Sequence, residues 1–100
     1  MRSIERRILS GDIDLASREA LEAAFEAIPD CDELLIDMLA VRYVDSTGLS
    51  SLIELRRRLR SQCGASVKIA VGDPGVYRVF RVCGLDKIFE LDLIEAAAAS

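Results

Sequence analysis

The apolar positions of this chain fall into two alternating kinds of run. Glu33 to Ala40 holds Leu34, Leu35, Ile36, Met38 and Leu39, a near-continuous apolar stretch of the length expected for a central strand covered on both faces. Val67 to Val71 is a shorter run of the same type. Other stretches have helical spacing. Leu21, Ala24, Phe25 and Ile28 lie at i, i+3, i+4 and i+7, which predicts a first helix over 17–28 with Ser17 as its N-cap and Pro29-Asp30 as its stop. A second helix is predicted from Ser46 or Thr47 to Ser61, with Leu49, Leu52, Ile53 and Leu59 facing the core and Leu55 at the edge. Arg56 falls on that face, so its stem must lie over apolar surface while its head reaches outward. Gly64 ends this helix. Asp73-Pro74 reads as an N-cap followed by proline at the first helical position. Val76, Val79, Phe80 and Cys83 then form a third apolar stripe, closed by Gly84 in a left-handed conformation with Leu85 packing back.

The two ends of the chain are less regular. Ile4 to Leu9 reads as a strand whose alternation is broken by Glu5-Arg6-Arg7, and Ser10-Gly11-Asp12 reads as a turn. Lys87 to Leu91 is the last predicted strand, and Leu93 to Ala99 an Ala-rich helix or frayed tail. Strands alternating with helices imply an α/β fold with a mostly parallel sheet. A length of 100 residues suits one domain.

Composition removes several functions. With 51% hydrophobic residues and no Trp, the chain can bury an aliphatic core without metals or disulfides. A net charge of -4 opposes general nucleic-acid binding. The run Arg56-Arg57-Arg58, with Arg60, reads as a solvated helix face, because no aromatics are interleaved. The absence of His removes Ser-His-Asp triads, Cys-His nucleophiles and His-based metal sites. Neither a G-x-x-x-x-G-K-[ST] loop nor G-x-G-x-x-G is present. Cys31, Cys63 and Cys83 match no metal spacing and read as buried or incidental thiols. Met1 to Arg7 is charged, nothing resembles a signal peptide, and no run approaches the roughly 18 apolar residues of a membrane span. A reducing, cytoplasmic setting without membrane attachment, cofactor or metal is the expectation.

The most informative segment is Asp45-Ser46-Thr47-Gly48-Leu49, where the strand-like run turns into the second helix. Ser46 is placed to cap that helix, and the same position suits a negative charge, because free N–H groups and the positive end of the helix dipole converge there. A phosphate on Ser46 would be tolerated by the fold, facing the amides of Gly48 and Leu49, and would still change the surface. Plain structural roles stand beside this reading: a simple N-cap for Ser46, turn chemistry for Gly48, and a turn and cap pair for Asp12 and Asp14.

The run Tyr43-Val44-Asp45-Ser46-Thr47-Gly48-Leu49 resembles the signature of the STAS domain, and in particular that of bacterial anti-sigma factor antagonists. Ser10-Gly11-Asp12-Ile13-Asp14 is similar to that family's Gly-acidic-apolar-Asp segment, and Val76 through Phe80, Gly84-Leu85, Lys87 and Ile88 to its third helix and following strand. The resemblance implies one STAS domain over residues 1–100, with a mixed, mostly parallel sheet packed by about four helices and an N-terminal strand that is shortened or missing. An exposed edge left that way suits pairing with a second copy, so a homodimer stays open.

The resemblance also implies a role. The protein would bind an anti-sigma factor, often itself a serine kinase, and so release a sigma factor. Phosphorylation of Ser46 would end binding, and a phosphatase would reset it. Asp12, Asp14, Asp45, Thr47, Gly48, Leu49 and Ser50 would form the partner-binding surface around Ser46, with Thr47 a minor alternative acceptor. Ser50 stands where many relatives have a small Gly. The competing readings are a STAS subunit or domain regulating an anion transporter or serving a lipid-transport complex, and a small hydrolase using Ser46. The hydrolase lacks a general base, with no His in the chain and no Lys near the motif.

Overall fold

The structure is a computed structural model and describes residues 2–95. Four strands, β1 (Ile4–Ile13), β2 (Glu33–Val44), β3 (Ser66–Val71) and β4 (Glu90–Leu93), alternate with three α-helices, α1 (Arg18–Glu26), α2 (Ser46–Cys63) and α3 (Pro74–Val82). The strands form one sheet in the order β1-β2-β3-β4, and all three pairings are parallel. The expected mixed sheet is therefore not present among the described residues. Each strand is joined to the next through a helix, and a helical crossover returns the chain in the same direction. Among the described residues the α-helix count is three, not about four. Leu93, the predicted start of the fourth, ends β4, and 96–99 lies outside the described residues.

In a parallel sheet whose spatial order follows chain order, right-handed crossovers put every helix on the same face. Burial agrees with this. Leu34, Ile36 and Met38 on β2 and Ile69 and Val71 on β3 are fully buried, and they meet Leu52, Leu59 and Phe80 from the helices. The opposite face of β2 carries Leu35, Asp37 and Leu39. Coverage of β2 on both faces, expected from its unbroken apolar run, is thus corrected to coverage on one. The open face is held by ion pairs. Arg6 reaches Asp37 at 2.6 Å, and Lys68 lies 3.6 Å from Glu33 and 3.5 Å from Glu90.

Local chemistry explains most of the boundaries. Asp73 caps α3 by accepting from the amides of Gly75 and Val76, and Pro74 follows at the first helical position. Gly64 and Gly84 close α2 and α3 with φ of 70° and 75°. Two expectations shift. Leu55 is buried at 3% exposure while Ile53 is 37% exposed, because α2 packs against α1 as well as the sheet. Cys83 is exposed at the end of α3, whereas Cys31 is buried and its amide donates to Cys63 Sγ at 3.5 Å. Burial pushes the Cys31 thiol above its ordinary range, which suits an inert core cysteine.

The predicted turn at Ser10-Gly11-Asp12 is part of β1. Its register against β2 slips between Ile8 and Ser10 and again between Gly11 and Asp12, and Gly11 has φ of 75°. Each slip puts one extra residue on β2, because Asp37 to Ala40 runs opposite Ile8 to Ser10 and Val41 to Tyr43 opposite Gly11 to Asp12, so β2 carries the bulges and β1 stays in the ladder through its left-handed glycine. The broken alternation before it also has a cause. Arg7 pairs with Glu5 at 3.0 Å along the strand, and Arg6 is taken up by Asp37.

Asp37 makes the open face sensitive to acid. The Leu39 amide and then the Arg6 guanidinium hold its carboxyl below the usual carboxylate range, against the opposing effect of burial. A carboxyl whose pKa falls on folding adds stability above its unfolded pKa of about 3.9, and that stability is lost as pH drops through the lower folded value. Urea unfolding of wild type and Asp37→Asn should therefore differ most near neutrality, with the difference shrinking as pH falls below about 3.9. A difference that stays constant with pH would remove the ionic contribution.

Candidate functional site

The C-terminal ends of β1 and β2 lie side by side, with Asp12 opposite Tyr43 and Ile13 opposite Val44. The chain leaves β1 through Asp14 and β2 through Asp45, so two acidic residues emerge together at the sheet's edge. Both carboxylates serve as caps. Asp14 accepts from the Ser17 amide at 3.2 Å, while Ser17 Oγ accepts from the Asp14 amide at 2.9 Å, a reciprocal cap on the 3-10 turn Leu15–Ser17 that leads into α1. Ser17 holds the N-cap position of α1, as expected, but its side chain is engaged with Asp14 and makes no cap hydrogen bond to that helix.

Asp45 starts α2. Its backbone is extended, its Oδ1 accepts from the Gly48 amide at 3.1 Å, and its carbonyl accepts from the Leu49 amide at 3.0 Å. The N-cap is therefore Asp45, and Ser46 is the first residue of the helix. The two amides expected to face a phosphate on Ser46 are already occupied. The amides of Ser46 and Thr47 remain as the helix's first two donors, which have no intrahelical acceptor.

The junction is fixed in depth by Gly48. A Cβ at this position would stand 2.6 Å from Ile13 Cγ2, 2.9 Å from Val44 Cγ2 and 3.1 Å from the Ile13 carbonyl oxygen. The Asp45 amide donates to that same carbonyl at 3.1 Å. The start of α2 thus rests directly on the end of β1.

The expected site residues separate by exposure. Ser46, Ser50 and Asp12 are exposed, and Asp14, Asp45 and Thr47 are half-buried. Gly48 and Leu49 are buried, so they support this corner from below and offer little surface. The Ser46 hydroxyl has no hydrogen-bond partner among the described residues. Two residues were not singled out from the sequence. Leu15, next to Asp14, is 66% exposed, and Tyr43, opposite Asp12, is 52% exposed. Their signal was present but weak: Leu15 falls on no apolar stripe, and Tyr43 opens the motif run without a surface role being read for it. A groove of about 530 Å³ runs between α1 and α2 from Thr47 and Ser50 past Phe25 and Leu55 to Arg58. Arg58 crosses it to donate to the Phe25 carbonyl at 2.6 Å. The corner therefore combines a free hydroxyl, three carboxylates, two exposed apolar side chains and a neighbouring groove.

The STAS domain family model matches residues 8–98, a span that contains this whole corner. The chain belongs to the STAS domain family. It is similar to the anti-sigma-B factor antagonist of Listeria monocytogenes, with 29% identity over 89 residues that cover 87% of this chain and 77% of the relative. It is also similar to the crystal structure of an anti-sigma factor antagonist from Mycobacterium paratuberculosis, with a TM-score of 0.80 and 30% identity over 90% of this chain and 77% of that one. A sulfate transporter family protein from Wolinella succinogenes matches with a TM-score of 0.74 and 18% identity, covering 91% and 78% of the two chains, and shares the fold. No helix among the described residues is long and apolar enough to cross a membrane.

The STAS corner should be intolerant of any side chain at position 48. Gly48→Ala gains up to about 1 kcal/mol of helix propensity but forces buried groups apart at a cost of about 1–3 kcal/mol. Chemical denaturation should show a net loss of stability, with amide shifts concentrated at Ile13, Val44 and the first turn of α2. An unchanged midpoint would mean that Ile13 and Val44 yield freely and do not set the depth of α2.

Proposed function

We propose that this protein is an anti-sigma factor antagonist: a binding module, not an enzyme, that docks on an anti-sigma factor through the Ser46 corner and thereby releases a sigma factor. Ser46 is the phosphoacceptor, and its modification ends the interaction until a phosphatase removes the phosphate. The observation that carries this reading is the exposed, unpartnered hydroxyl at the first residue of α2, on a scaffold similar to two proteins named as anti-sigma factor antagonists. Asp12, Asp14, Asp45, Thr47 and Ser50 surround it on the docking face, with Leu15 and Tyr43 as apolar contacts.

Charge explains release. A phosphoserine adds about -1.5 to -2 at neutral pH. It would stand against the carboxylates of Asp12, Asp14 and Asp45, and a partner fitted to a bare hydroxyl would have to desolvate the new dianion. A loss of about 3 kcal/mol weakens binding roughly a hundredfold. No refolding is needed.

The test is to incubate the protein with the anti-sigma kinases of its host and ATP, map the site by mass spectrometry, and measure binding of each form. Phosphate should appear on Ser46. Ser46→Ala should bind and resist modification. Ser46→Asp should bind at least about tenfold more weakly, with far-UV and amide spectra unchanged away from α2. Phosphate on another residue, or full binding by the phosphorylated form, would defeat the reading. Co-purification with a membrane permease instead of an anti-sigma factor would favour the transporter-regulating alternative.

A further inference from the structure

We propose that the free edge of β1 pairs antiparallel with the same edge of a second copy, placing Ile4 opposite Ile8, Glu5 opposite Arg7 and Arg6 opposite itself. The two sheets then join into one of eight strands.

Among the described residues β1 pairs with β2 alone, which leaves its other edge open. The Ser3 carbonyl accepts from the Asp32 and Glu33 amides ahead of β2, so strand alternation points the backbone groups of Ile4, Arg6 and Ile8 away from the sheet. These three residues can form hydrogen-bonded antiparallel pairs with a second copy. Each such pair exchanges two bonds, giving about six in all.

The side chains select one register. Opposed residues in an antiparallel pair share a face, so only registers matching even with even positions keep both helix layers on one side. Moving the two-fold to Glu5 opposes two glutamates, and moving it to Arg7 opposes two arginines. Both are like-charge pairs directly across the strands. Centring on Arg6 instead sets Glu5 against Arg7 on both sides of the axis. It also brings together Ile4 and Ile8, which are 61% and 66% exposed in the single chain. These charge pairs occupy the closer, non-hydrogen-bonded positions, where side chains interact best. Arg6 meets its own copy, but each is already paired with Asp37 at 2.6 Å. Gly11, with φ of 75°, breaks the extended backbone of β1, so the ladder between the copies ends before it.

This pairing leaves the Ser46 corner free. Ile13 lies seven residues from the axis, roughly 23 Å along the strand, so the two corners face opposite ends of the joined sheet.

Sedimentation velocity of the full chain across a concentration series tests the proposal. Wild type should form a dimer. Glu5→Arg and Arg7→Glu should each weaken it at least about tenfold, and an equimolar mixture of the two should dimerise again, because each then supplies the charge the other needs. Arg6→Cys in a Cys83→Ser background should form a disulfide-linked dimer on mild oxidation, since hydrogen-bonded partners stand about 5.5 Å apart, within disulfide reach. Ile8→Cys should not, because its opposite residue is Ile4. If a charge reversal disturbs the far-UV spectrum, the cross-link decides. A wild type that stays monomeric throughout, a dimer that survives both reversals, or cross-linking at Ile8 in place of Arg6 would each overturn the proposal.

Discussion

The geometry of the Ser46 corner depends on how closely the start of α2 is pressed onto the end of β1. Gly48 leaves no room for a Cβ above Ile13 and Val44, and the Asp45 amide is hydrogen-bonded to the Ile13 carbonyl. Two contacts, one steric and one polar, thus tie the helix to a strand that is distant in sequence. Asp45 then uses its side chain to satisfy the Gly48 amide. Close packing gives the interior few ways to relax, so Ser46 is held at a fixed height above the sheet. A hydroxyl presented this way can be read by a docking protein without first paying to order a loop.

The same topology that builds the corner leaves the rest of the molecule asymmetric. Helical crossovers in a monotonic parallel sheet bury one face of the central strands and leave the other to ion pairs and scattered apolar residues. Asp37 on the central strand β2, buried under Arg6, is the clearest product of that arrangement. Its carboxylate is held by a backbone amide and a guanidinium together, and so a charged group is tolerated where the sequence pattern calls for an apolar one.

Elements whose signals are local were legible in the sequence. The third helix carried its Asp-Pro start and Gly stop within a few residues, and the observed helix begins and ends there. Elements decided by distant contacts were not. Ser10-Gly11-Asp12 has turn chemistry, but pairing with β2, which bulges opposite it, keeps it within the strand. Ile53 and Leu55 are equally apolar, and only the placement of α1 decides that Leu55 is buried. At the corner, Asp45 and Ser46 are both good capping residues. The bond from the Asp45 amide to Ile13 selects the aspartate by holding its backbone extended, and no local signal reveals that bond. The one-sided sheet was hidden for a related reason: Leu35 and Leu39 extend the apolar run of β2, so period alone could not separate one covered face from two.

The identity of the cap changes how a phosphate at Ser46 would act. Had Ser46 been the cap, its modification would have put the new charge on the amides of Gly48 and Leu49, strengthening the helix start. With Asp45 there instead, those donors are taken and only the amides of Ser46 and Thr47 are open to the phosphate. The favourable helix-end interaction is shared between two anions that repel each other, and each gains less from it than it would alone. The repulsion is confined to the first turn, because Gly48 and Leu49 stay locked into the core below. A phosphate there therefore leaves the fold nearly unchanged while adding an unneutralised charge at the surface. Most of the energetic consequence is then felt by whatever docks on the corner, which is the division of effects that release without refolding requires.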